Sequence, residues 1–167
     1  MQGKFGSIIE IAQFIATSSL NLYRKKIVFT TGVFDVPHIG HPRYLAAAKE
    51  FGDFLVVGVH SDSLVKKRKG KNRPIFPAHD RIEFLSYYSS VDFILELKDQ
   101  DEIYEAIKYL EPYVLVVSET TEDIENNPET MRTRFSNYCH RIEVLRPQSS
   151  VHSTDFIKAM EKVETIK

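Results

Sequence analysis

Short apolar runs alternating with longer amphipathic stretches are the feature that most narrows the fold open to this chain. Ile27-Val28-Phe29-Thr30-Thr31 and Phe54-Leu55-Val56-Val57-Gly58-Val59 are uncharged and rich in β-branched residues, as strands covered on both faces of a parallel sheet should be. Further strands are predicted over residues 91–95, 113–117 and 141–145. Between them lie helical patterns: one from Ile39 with Tyr44, Leu45, Ala46 and Ala48, and one after Pro77 through Arg81, Ile82, Phe84 and Leu85. Another starts at Asp99 with Glu102, carries Ile103, Ala106, Ile107 and Leu110, and closes at Glu111-Pro112. Asn126-Asn127-Pro128 signals a turn after a polar loop over 118–127, a helix is predicted over about 129–138, and a last one from about Thr154. This rhythm implies right-handed βαβ units. The expected fold is therefore α/β, a doubly wound open parallel sheet of about five strands within three α/β/α layers. Ligands of such sheets bind beyond the carboxyl ends of the strands.

At the start of the chain, Ser7-Ile8-Ile9-Glu10 reads as a capping box opening a helix with Ile8, Ile11, Ala12 and Ile15 on its apolar side, packed against the sheet or a partner subunit. A single domain over residues 1–167 is expected, with that helix in 1–25 and the α/β core in 26–167. Twenty-two basic residues balance 23 acidic ones, so no global field argues for nucleic acid or a membrane surface, and any anion site must be local. One cysteine, Cys139, permits no internal disulfide. With no basic-then-apolar leader pattern and no apolar run of membrane-spanning length, a cytoplasmic location is expected.

The chemistry concentrates where the first strand meets its helix, in Gly32-Val33-Phe34-Asp35-Val36-Pro37-His38-Ile39-Gly40-His41. Free N–H groups and the dipole of a helix's first turn favour an anion, and two imidazoles three residues apart suit a polyphosphate. Asp35, His38 and His41 also have the residue types of a zinc, nickel or iron site. Against that, Pro37 and Gly40 break the helical register and no second His or Cys cluster completes a ligand set. Two satisfied core histidines fit less well beside Gly and Pro at a turn.

Val65-Lys66-Lys67-Arg68-Lys69-Gly70-Lys71-Asn72-Arg73-Pro74 holds six basic residues among the eight from Lys66 to Arg73. By itself such a run reads as a solvated loop. Arg81, alone on its helix, reads as a surface partner of Asp80 or Glu83. Ser153 and Thr154 are explained by helix capping.

The segment from Gly32 to His41 resembles the GxFDxxHxGH signature of the cytidylyltransferase-like nucleotidyltransferases, with every fixed position present. That group includes glycerol-3-phosphate and ethanolamine-phosphate cytidylyltransferases and the nucleotidyltransferase domain of ADP-heptose synthase. The resemblance implies a Rossmann-like fold in which His38 and His41 hydrogen-bond phosphate oxygens and stabilise the transition state at the α-phosphorus. Gly32 and Phe34 would offer backbone contacts, and Asp35 and Gly40 complete the nucleotide-binding turn. The lysine stretch is similar to VKxxKGxxRP, which gives Lys66 and Lys69 the phosphates of both substrates, and Arg81 would be directed at the β- and γ-phosphates. Arg146-Pro147-Gln148-Ser149-Ser150-Val151-His152-Ser153-Thr154 resembles RTxGxSTTxLI, so Arg146, Ser153 and Thr154 join the nucleotide set. It departs by lacking the glycine, by one extra residue and by His152 at the first hydroxyl position. Val117-Ser118-Glu119-Thr120-Thr121 stands where relatives carry a glycine- and aspartate-containing loop.

The expected activity is transfer of CMP or AMP from CTP or ATP, with Mg2+ on the nucleotide, to a phosphorylated sugar, polyol or amino alcohol. CTP is favoured by the opening motif and by Val57-Gly58-Val59-His60-Ser61-Asp62, ATP by the lysine stretch. Relatives often dimerise, which makes Tyr87-Tyr88 or the first helix a candidate contact between copies. The two departures motivate the competing reading of a nucleotide-binding sensor or scaffold without catalysis.

Overall fold

In the computed structural model, residues 4–17, 25–119, 121 and 127–149 are described. They form α1 (Ile8–Thr17), β1 (Ile27–Gly32), α2 (Gly40–Lys49), β2 (Phe54–His60), α3 (Asp62–Lys69) and α4 (Ala78–Ser86). Then come β3 (Phe93–Leu97), α5 (Gln100–Leu110), β4 (Val114–Ser118), α6 (Pro128–Phe135) and β5 (Arg141–Leu145). The five strands form one parallel sheet in the order β3-β2-β1-β4-β5, and the chain reverses its winding direction between β1 and β4. This is the expected Rossmann-like three-layer arrangement.

Alternation along the strands sorts the core into two halves. Phe29 and Val56 face one side, where they meet Ile11 and Ile15 of α1, Ile103 and Ile107 of α5, and Phe135 of α6. Val28, Leu55 and Val57 face the other, against Leu45 and Ala48 of α2 and Leu85 of α4. The first helix thus lies on the sheet, held at its start by the predicted capping box, in which Ser7 N–H donates to Glu10 Oε2 at 2.8 Å.

Most strand ends fall within one residue of expectation, and three differences are larger. The third strand runs two residues later than 91–95, because the Asp92 carboxylate accepts from Leu55 N–H (2.7 Å) and Lys49 Nζ (2.5 Å), and ladder pairing starts only at Phe93 opposite Val56. The sixth helix stops at Phe135, short of 138. The first half of the basic run expected as a loop is instead the last turn of α3: the Ser61 hydroxyl accepts from Leu64 N–H, Asp62 lies in the first turn, Lys66, Lys67, Arg68 and Lys69 fill the last, and residues 70–73 lie beyond it. That order of charge complements the helix dipole. Gly70, at φ +94°, ends the helix in a conformation that disfavours other residues.

Candidate functional site

The turn after β1 opens at the carboxyl end of the sheet, at the point where the strand order reverses. A side chain at Gly32 would stand 2.9 Å from the Phe34 ring, so the glycine leaves room for that ring to fold back and bury itself. Phe34 and Val36 then adopt positive φ of 52° and 47°. For β-branched Val36 this is a strained backbone, of the order of 1–3 kcal/mol, which the surroundings must hold in place.

Asp35 does the holding. Its carboxylate, 2% exposed, accepts from Arg73 Nε at 2.9 Å, from Ile75 N–H at 2.9 Å, from Phe76 N–H at 3.0 Å and from its neighbour Val36 N–H at 3.1 Å, and it pairs with Arg73 Nη2 at 2.8 Å. The sequence placed Asp35 among nucleotide contacts or metal ligands. Buried under these donors, it instead fastens the turn to the loop between α3 and α4.

Beyond that fastening, the two imidazoles come together. Gly40 N–H donates to His38 Nδ1 at 3.1 Å, and the His38 and His41 rings lie 4.0 Å apart between centroids. His41 also meets the Phe34 ring edge-on at 5.6 Å. A side chain on Gly40 would stand 2.7 Å from His38 Cε1 and 3.0 Å from Ser149 Cβ, so only glycine lets helix, ring and the segment after β5 approach this closely. Burial, helped by the charges of His38 and Lys69 and opposed by Asp35, pushes the His41 imidazole down to about 4. At neutral pH it is an uncharged ring that carries one N–H. Beneath α2, the Tyr44 hydroxyl meets Thr30 Oγ1 at 2.8 Å and lies 3.5 Å from the Val116 carbonyl, tying the helix to the two strands that flank the reversal.

The basic residues expected at the site divide. Lys69, exposed at the end of α3, is close enough to act electrostatically on His41. Lys66 is exposed in the same turn, and Arg146 is exposed just beyond β5. Arg43 Nη1, on α2, reaches the Gln148 carbonyl at 3.5 Å and so draws the segment after β5 toward the turn.

Arg81 departs from both of its expected roles. Only 1% exposed, it donates through Nε to the Phe76 carbonyl at 2.9 Å, through Nη1 to the Val33 carbonyl at 2.6 Å and through Nη2 to Asp62 Oδ1 at 2.7 Å. Its ion-pair partner is Asp62, not Asp80 or Glu83, and its guanidinium ties the start of α3, the loop before α4 and the turn after β1 together in the interior where surface pairing or a phosphate was expected. Ser153, Thr154 and the helix predicted from about Thr154 lie outside the described residues.

Sequence reasoning missed Asp62, Arg73, His60 and Gln100 as parts of this framework. Arg73 closes the lysine stretch and His60 and Asp62 lie in the 57–62 segment, but nothing local marks their partners, since each finds its partner across a loop or a strand end. Among the described residues no three His, Cys, Asp or Glu side chains assemble into a metal site, and no helix is long and apolar enough to cross a membrane. A cavity of about 460 Å3 opens elsewhere, beside β3 and α4, lined by Phe5, His79, Ile82, Glu83, Ser86 and Glu96. Two carboxylates there are the wrong sign for a polyphosphate.

The bifunctional protein HldE of a Nitratiruptor species is 45% identical over 102 residues, which are 61% of this chain and 22% of that protein. HldE of Campylobacter curvus is 43% identical over 113 residues, 68% of this chain and 24% of that protein. The chain thus spans about a quarter or less of the curated relatives it matches. Among solved structures, the lipopolysaccharide core biosynthesis protein of Thermoplasma volcanium superposes with a TM-score of 0.60 at 26% identity, covering 76% of this chain and 99% of that one. Pantoate-beta-alanine ligase of Francisella tularensis shares the fold, with a TM-score of 0.63 at 15% identity over 93% of this chain and 76% of that one. Residues 29–159 match the cytidylyltransferase-like family, a span that starts inside β1 and includes the whole glycine- and histidine-bearing turn. The chain belongs to the cytidylyltransferase-like family.

Proposed function

We propose that this domain transfers a nucleoside monophosphate from CTP or ATP to a phosphorylated acceptor with release of pyrophosphate. The observation that carries the reading is the pairing of His38 and His41 at the first turn of α2, with Lys69 near enough to act on His41. An oxygen of the acceptor's phosphate attacks the α-phosphorus. A new P–O–P linkage forms, the bond from the α-phosphorus to the oxygen bridging to the β-phosphorus breaks, and pyrophosphate leaves with that electron pair.

Two polyanions must meet, so the protein's part is positioning and electrostatic stabilisation. His41, uncharged at neutral pH, donates its N–H to the oxygens on which charge builds. His38 orients beside it through Gly40 N–H. Lys69 and Lys66 screen the approach of the acceptor, and Arg146 lies at the same end of the sheet for the triphosphate. Mg2+ would arrive on the nucleotide as part of the substrate, because the carboxylate of this turn, Asp35, is already engaged by Arg73 and by backbone N–H groups.

For the acceptor, the likeness to a lipopolysaccharide core biosynthesis protein favours a phosphorylated sugar over a polyol or amino alcohol. The lysine stretch similar to that of ADP-heptose synthase favours ATP, the opening motif CTP. Incubation with each nucleoside triphosphate, Mg2+ and a panel of sugar, polyol and amino-alcohol phosphates, followed by pyrophosphate measurement, tests the proposal. Nucleotide binding without pyrophosphate across that panel would replace it with the sensor reading.

A further inference from the structure

One of the four basic residues in the last turn of α3 is set apart from the other three. Lys66, Lys67 and Lys69 are exposed, whereas Arg68 is half-buried. Its Nη1 lies 3.4 Å from His60 Nδ1, and its Nη2 donates to Gln100 Oε1. His60 is the last residue of β2 and Gln100 the first of α5, so one guanidinium straps the end of α3 to two other elements. The beginning of the same helix is held independently, by the Ser61 cap and by the ion pair of Asp62 with Arg81. An eight-residue helix pinned at both ends keeps its rotation about its own axis, and with it the direction of each side chain on its last turn.

A guanidinium has only donors, so His60 must accept at Nδ1 and carry its proton on Nε2. That Nε2 is buried and has no hydrogen-bond partner among the described residues. Stability alone would favour an apolar residue in its place. The imidazole retains a function through Nδ1, which is to receive Arg68.

We propose that Arg68 is a positioning residue: by bridging His60 and Gln100 it fixes the last turn of α3 and with it the place of Lys69 relative to His41. The importance of Lys69 rests on the nucleotidyl-transfer reading, while the strap itself is a matter of geometry. Lys69 acts on the imidazoles of His41 and His60, adding to the burial that holds them near 4 and near 3. A lysine at position 68 could not replace the strap, since one ammonium lacks the planar fork that meets two acceptors at once.

The test follows the His41 imidazole resonances by NMR against pH in the full chain, where His38, Asp35 and Lys69 are the charged or titratable groups acting on that ring. Lys69→Met should raise the His41 midpoint by about half a pH unit, the size expected for a unit charge several ångströms away in partly solvated surroundings. Arg68→Lys should raise it as much while keeping the charge, and should add nothing in the Lys69→Met background. An Arg68→Lys midpoint equal to that of the parent overturns the proposal, as does a Lys69→Met variant that moves nothing. Should Arg68→Lys fail to fold, Gln100→Ala removes the outer acceptor of the strap and carries the same expectation. None of these measurements needs turnover, so an absence of nucleotidyl transfer leaves the result readable.

Discussion

Replacing Gly40 with alanine should separate the site's geometry from the stability of the fold. The added methyl carbon would stand 2.7 Å from His38 Cε1, 2.8 Å from His38 Nδ1 and 3.0 Å from Ser149 Cβ. Carbon atoms rest at about 3.5–4.0 Å, so the deficit is about 1 Å. Ser149 and the helix backbone are harder to displace than an imidazole on two torsions, so the His38 ring gives way. Its move breaks the 3.1 Å bond from Gly40 N–H and shifts the ring that packs on His41. Overpacking costs about 1–3 kcal/mol. Exchanging glycine for alanine in a helix returns up to about 1 kcal/mol. Net destabilisation is therefore about 0–3 kcal/mol, and the chain should still fold. Turnover is another matter, since a misplacement of about 1 Å costs on the order of 10²-fold. Pyrophosphate release at saturating nucleotide, measured beside a thermal unfolding curve, reads both effects. An unchanged rate in a folded Gly40→Ala protein would refute the claim that the close approach of helix and ring sets the catalytic geometry.

Three further outcomes are expected. His41→Ala should lower turnover by about 10² to 10³-fold while calorimetry finds nucleotide still bound, and a parental rate would remove His41 from the mechanism. Arg81→Met should lower stability in urea by about 3–5 kcal/mol without any nucleotide present, because it strips the Phe76 and Val33 carbonyls and Asp62 of their shared donor. A loss under about 1 kcal/mol would mean that the guanidinium is not a structural tie. Stability should also fall on acidification: His41 and His60 are held near 4 and 3, below the ordinary histidine value of 6.5, so the unfolded chain binds more protons than the folded one between pH 6.5 and those values. Urea unfolding followed from pH 7 to pH 4 should show uptake of up to about two protons, and a flat profile would contradict the burial of these rings.

Where a signal is local, the sequence carries it. Asp99 caps α5 by accepting from Glu102 N–H at 2.9 Å, and β5 runs over the residues predicted for it. The alternation of Val28 with Phe29 and of Leu55 with Val56 places a helical layer on each face of the sheet. Local signals are also present for α3, in the Ser61 cap and the acidic-to-basic gradient, but in the sequence the density of positive charge outweighs them and favours a loop. For β3, buried Val91 looks like a strand residue, although it belongs to the turn held by Asp92.

The glycine- and histidine-bearing turn after a buried strand can be read from ten consecutive residues, because strand periodicity, a chain-breaking glycine and a helix start are short-range effects. Which charged side chains face a ligand and which hold the framework cannot. Asp35 meets Arg73 across 38 positions, and Arg81 meets Val33 across 48. Those meetings depend on how separate βα units pack above a shared sheet edge. Burial there decides that Asp35 and Arg81 become interior ties, while Lys66 and Lys69 remain exposed. A charge inside needs a partner, one outside does not, and only the packed chain determines which is which.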